Sequence, residues 1–228
     1  MTSKLFETII SDIKEDPFFS EYKYKKSENM LYLRDAERTL SIEFEHWKDY
    51  DECTIYITYG CRFEILTKWF EKFSFKTLRD QRNNPNVIYD NTDFGRDEHI
   101  YFDYNFSDYE EKMHIMLPMI KENMALFVKK YSSLDNYYKE DVLPVITGDK
   151  ELPSVGADWI FIYLTLGFLV DKGNYSRLKE IILKRVECMH SLGEPNVEHY
   201  YDKMDEILMY MENNVSIMQS VNQRDSFD

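Results

Sequence analysis

The chain has 228 residues, a formal net charge of −14, and 43% hydrophobic and 16% aromatic content. That apolar content excludes a disordered chain, and only 7 Gly and 6 Pro exclude collagen-like or low-complexity sequence. Three cysteines, Cys53, Cys61 and Cys188, without CxxC spacing exclude a disulfide scaffold and read as reduced thiols of a cytoplasmic protein.

Leu5, Phe6, Ile9, Ile10 and Ile13 form one apolar stripe, which predicts a helix over 4–15 that Asp16-Pro17 ends. This opening stretch lacks the long apolar run of a signal peptide. From residue 22 the period changes to two. Leu40, Ile42 and Phe44 alternate with Ser41, Glu43 and Glu45, and Cys53, Ile55, Ile57 and Tyr59 alternate with Thr54, Tyr56 and Thr58. The pattern predicts an antiparallel meander with strands near 22–26, 29–34, 38–47 and 52–60, one face on the core and one wet. Phe63, Leu66, Phe70 and Phe73 return to helical spacing and predict a helix over 62–82. Lys68, Lys72, Lys76 and Arg79 fall on its far side.

After an Asn83–Asn86 loop, alternation resumes at Ile100, Phe102, Tyr104 and Phe106, a strand over 99–106. Ser107-Asp108-Tyr109-Glu110 reads as the start of a long helix to about Tyr131, and Ser133 as the cap of a short one over 134–141. Pro144 to Pro153 reads as a loop. Helices near 155–171, 174–191 and 196–214 follow, with a frayed tail over 216–228. The longest apolar run, Trp159 to Val170, falls short of the ~20 residues of a membrane span. The sum is a single α+β domain over 1–215: a sheet-rich half (1–106) and a helical half (107–215). A mainly antiparallel sheet of four or five strands is expected, covered on one face by helices 4–15 and 62–82.

Nucleotide and hydrolase signatures are absent: no GxGxxG, GxxxxGK[ST], GxSxG or HExxH occurs. Asp16 with Glu21-Tyr22-Lys23 has the residue types of half a metal-dependent nuclease core, but Asp16 sits at a helix end and the acidic balance opposes a nucleic-acid substrate. Glu198-His199 with Asp202 reads as a helix start, and His46 as an edge-of-core residue. No catalytic residue, metal ligand or cofactor is assigned. Two weaker features remain. The stripe Lys68, Lys72, Lys76 and Arg79 suits an anion or an acidic segment, against the plain alternative of a solvated helix face. Tyr137, Tyr138, Tyr200 and Tyr201, from a total of 18 tyrosines, suit a recognition surface, against the alternative of half-buried packing.

Tyr24-Lys25-Lys26, Asn29-Met30-Leu31-Tyr32, the strand from Arg38 to Trp47, and Tyr59-Gly60-Cys61-Arg62-Phe63 resemble small bacterial families of unknown function. The resemblance covers about half of the chain and brings no catalytic signature. It implies an immunity-like or toxin-neighbourhood role. Two functions therefore stand. The first is a non-enzymatic bacterial cytoplasmic protein that binds a basic partner such as a toxin, with no nucleic acid and no membrane. The second is an enzyme or ligand-binding protein with a pocket between the sheet and the helical half.

Overall fold

Helix α1 (Thr2–Glu15) forms where the apolar stripe places it and stops where Asp16 turns extended. The Asp16 carboxylate accepts from the Phe18 N–H at 2.8 Å and caps a 3-10 turn over Pro17–Phe19. The computed structural model describes residues 2–49, 52–74, 85–103, 105–153 and 158–224. Contacts divide the chain into two units, Met1–Arg62 with Val87–Lys130 and Phe63–Asn86 with Tyr131–Asp228.

The first unit is a mostly antiparallel sheet of β1 (Lys23–Lys25), β2 (Met30–Arg34), β3 (Arg38–Asp49), β4 (Glu52–Phe63), β5 (Val87–Asp90) and β6 (His99–Asp103), in the order β1-β2-β3-β4-β5. Strand β6 also pairs with β4, over Glu52 to Tyr56, while β5 takes Thr58 to Cys61. The register puts Tyr24, Leu31, Ile42, Cys53, Ile55 and Phe102 on one side of the sheet. Apart from Tyr24, these side chains are buried.

 Over residues 62–74 the structure does not form the start of the second covering helix that the spacing predicts for 62–82, and residues 75–82 lie outside the described residues. Strand β4 runs on to Phe63, then one turn of helix, α2 (Glu64–Thr67), gives way to a 3-10 segment over Lys68–Lys72 in the second unit. Phe63 belongs to both patterns: it continues the run of alternate apolar residues from Cys53, and the strand takes it.

The second cover of the sheet is α3 (Tyr109–Lys130), which buries Met113, Met116, Ile120, Met124 and Phe127. The Tyr109 hydroxyl donates to Asp12 at 2.5 Å and Lys121 pairs with Asp16 at 3.0 Å, so α3 is tied to α1. A buried polar cluster joins α3 to the strands. Asn123 Nδ2 donates to the Tyr59 hydroxyl at 3.2 Å, and that hydroxyl donates to Asn91 Oδ1 at 3.1 Å. Two further differences have local causes. The sheet has six strands, because the four residues of β5 are too few to show alternation. Strand β6 ends at Asp103, since Phe106 turns left-handed (φ 62) and its N–H bonds the Asp103 carbonyl.

The second unit is helical: α4 (Leu134–Tyr137), a π turn (Tyr138–Val142), α5 (Leu143–Thr147), α6 (Asp158–Val170), α7 (Tyr175–Ser191), α8 (Pro195–Tyr201) and α9 (Met204–Arg224). Ser133 caps α4 by accepting from the Asn136 N–H at 3.2 Å. The helical run continues past the predicted end at 141 as far as Thr147, because the π turn resets the ladder at Pro144, which has no N–H to give. A Cβ at Gly167 would lie 2.4 Å from Leu178 Cδ2, so a larger residue there would make the Leu178 side chain on α7 shift. Trp69 donates from Nε1 to Thr165 Oγ1 at 3.0 Å, and Phe70 stacks on Phe161 at 4.3 Å. The backbone of α9 stays helical through Arg224, past the predicted end near 214, with no Gly or Pro to stop it.

Candidate functional site: the open face of the first sheet

The register assigns the other side of the sheet as firmly as the buried one. Met30 lies opposite Glu43, Thr54 opposite Tyr101 and Tyr56 opposite His99, and the contact of the Trp47 and His99 rings puts the two sets on one face. Glu45 and Trp47 follow Glu43 at alternate positions of β3. Helices α1 and α3 pack on the opposite side; on this face Thr54 is buried beneath its neighbours, Met30, Tyr56 and His99 are half-buried, and the others are open. Trp47 is 42% exposed and Tyr101 48%. Glu43, Glu45, Glu52 and Asp103 are exposed as well.

Its aromatic centre is a contiguous set of rings. His99 meets Trp47 edge-on at 5.2 Å, Tyr56 at 5.5 Å and Tyr101 at 6.2 Å. His99 Nδ1 lies 3.4 Å from Glu98 Oε2. The Tyr56 hydroxyl donates to Asp90 Oδ2 at 3.1 Å. Burial first, then the Asp90 bond and the nearby charges of Asp90, Glu98 and Glu45, push that hydroxyl up to about 12, so it remains a donor at neutral pH. Partial desolvation of its carboxyl against the sheet, followed by the like charges of Glu45 and Glu28, also holds exposed Glu43 above its ordinary range. Around Trp47 the face therefore sets the carboxylates of Glu43, Glu45, Glu52 and Asp103 beside flat π surfaces, while Lys23 and Lys25 lie on the same side at its β1 end.

A groove of about 450 Å³ borders this face along β6 and α3, lined by Ile100, Tyr101, Ile115, Met116, Pro118 and Met119. Ile115 is 59% exposed. The Arg96–Glu122 ion pair, at 2.7 Å, forms part of the groove wall.

The residues singled out from sequence lie elsewhere. Tyr137, Tyr138 and Tyr200 are buried in the second unit, so they are core residues and not the recognition surface expected of them. The Tyr137 hydroxyl donates to the Asn86 carbonyl at 3.1 Å and that of Tyr138 to Asp171 at 2.8 Å. Tyr201 is half-buried, its ring stacked on His190 at 3.6 Å. Lys68 is exposed, but it opens a 3-10 segment in which positions four apart diverge by about 120°, so the α-helical stripe does not extend from it. The Lys72 side chain, Lys76 and Arg79 lie outside the described residues. Glu198 faces His190 at 3.1 Å, while His199 Nε2 lies 3.1 Å from the Phe73 carbonyl oxygen, so the two diverge. His46 stacks on Phe6 at 4.2 Å, away from the His99 cluster. Among the described residues no group of three or more His, Cys, Asp or Glu side chains could hold a metal ion, and no helix is long and apolar enough to cross a membrane.

Sequence reasoning missed Trp47, His99 and Tyr101 as a group. The available signal was aromatic residues on the polar side of the alternation, where Trp47 continues the series Glu43, Glu45. No protein-family model, curated protein or solved structure matches the chain.

Proposed function

We propose that this chain is a non-enzymatic interaction protein that docks a basic segment of a partner protein on the open sheet face of its first unit. The observation that carries the reading is Trp47, a large ring held 42% exposed among His99, Tyr56 and the carboxylates of Glu43 and Glu45. Aromatic faces beside carboxylates suit Arg and Lys side chains, which stack on π surfaces and pair with acids. A net charge of −14 attracts such a partner and repels a phosphate backbone. A basic toxin has this chemistry, and the resemblance to immunity-like bacterial proteins points the same way. A cytoplasmic setting suits the three free thiols.

Acrylamide quenching tests the proposal. Of the three tryptophans, Trp69 and Trp159 are 3% and 8% exposed, so quenchable emission comes from Trp47. A synthetic arginine-rich peptide is expected to shield Trp47 and a glutamate-rich one to leave it quenchable, with high salt reversing the shielding. Equal behaviour of the two peptides, or shielding by neither, contradicts the proposal.

A further inference from the structure

Strand β6 has an open edge beside the groove. Asp103 donates its N–H to the Asp108 carboxylate at 2.9 Å, and its carbonyl accepts from the Phe106 N–H at 2.9 Å. Both groups are therefore spent away from β4. Antiparallel pairs alternate between bonded and non-bonded along a ladder, so Asp103–Glu52 fixes Tyr101–Thr54 and His99–Tyr56 as non-bonded pairs too. The N–H and C=O of His99 and Tyr101 consequently point outward, and no side chain or loop among the described residues bonds them. Exposed strand edges of this kind are templates for a further strand.

We propose that the partner segment binds by adding as a strand to the β6 edge, with apolar and basic side chains alternating. The inference rests on the docking reading above and specifies its geometry. Residues placed opposite His99 and Tyr101 would project onto the open face, toward Trp47, Glu45 and Asp103, where charge complementarity calls for Arg or Lys. Their neighbours in the segment would project to the helix side, into the groove lined by Ile100, Ile115 and Met119. Backbone bonds supply the register, and the two faces of the segment supply specificity.

Three synthetic peptides test this: alternating Val and Arg, the same residues in two blocks, and alternating Val and Ser. The Val/Arg alternating peptide is expected to slow amide exchange at His99 and Tyr101 by roughly tenfold. Ile115→Lys, at an exposed helix position, is expected to weaken its binding about tenfold with the fold intact. If the block peptide binds equally well and these two amides exchange unchanged, strand addition is overturned while docking of a basic segment survives. If the Val/Ser peptide protects the amides as well as the Val/Arg one, strand addition holds and the basic-partner reading fails. Protection without peptide that disappears on dilution means a second copy covers the edge, which overturns the proposal. Binding by none of the peptides overturns both readings.

Discussion

Replacing Trp47 with Ala probes the docking face while sparing the core. The ring is 42% exposed, and an aromatic of this size presents about 250 Å² when free, leaving about 100 Å² for a partner to cover. At about 25 cal/mol per Å², complete coverage contributes about 2.5 kcal/mol, and partial coverage about 1 kcal/mol. Trp47→Ala should therefore weaken binding of an arginine-rich peptide roughly five- to sixty-fold. On the same scale the fold itself covers about 145 Å² of the ring, so the substitution also costs up to about 3.5 kcal/mol of stability, and the affinity is read where the melt shows the variant folded. Fluorescence anisotropy of a labelled peptide measures the affinity, and a urea melt checks the fold. An affinity within twofold of wild type, with the fold intact, refutes the assignment of Trp47 to the docking face.

Three further outcomes follow from the same structure. Glu43→Gln removes a carboxylate whose ionisation the fold opposes through partial desolvation and the charges of Glu45 and Glu28. Its folded pKa is raised, so the variant should gain stability at neutral pH, converge with wild type below the ordinary carboxylate range, and bind the arginine-rich peptide less well; a destabilised variant at pH 7 contradicts this. Burial holds the His46 imidazole below its ordinary value of 6.5. The unfolded chain then takes up the proton first, so stability should fall as pH drops below that value, and His46→Phe, which keeps a ring stacked on Phe6, should flatten the slope in denaturant melts at pH 7 and pH 5. Thr165→Val keeps the side-chain shape but leaves the buried Trp69 indole N–H without its acceptor, at a cost of about 1–3 kcal/mol in a urea melt; an unchanged midpoint would show that this bond contributes nothing.

The periodicity of the sequence makes much of this fold legible. The strands from Arg38 and Glu52 and the helix from Tyr109 follow directly from where apolar residues recur, and alternation assigns Glu43 and Glu45 to the wet side. Residues 62–74 defeat the same reasoning because Phe63 suits either period, and packing decides the rest: Phe70 against Phe161 and Tyr200, Phe73 against Tyr210. The tyrosines mislead for a related reason. A phenol ring is as satisfied in a core that offers its hydroxyl an acceptor, as Asp171 does for Tyr138, as it is on a recognition surface. The proposed docking face depends on register between strands far apart in sequence, since pairing of β4 with β6 brings His99 beside Tyr56 and Trp47. The open edge of β6 depends further on the Asp108 carboxylate, a single local bond that no pattern encodes.

The most direct measurement is an amide chemical-shift map of the ¹⁵N-labelled chain titrated with the arginine-rich peptide. Shifts confined to β3, β4 and β6 around Trp47, Tyr56, His99 and Tyr101 are the result this account expects. Shifts gathered instead on the helices of the second unit, around Leu192 or Met209, would place the interaction elsewhere and contradict it.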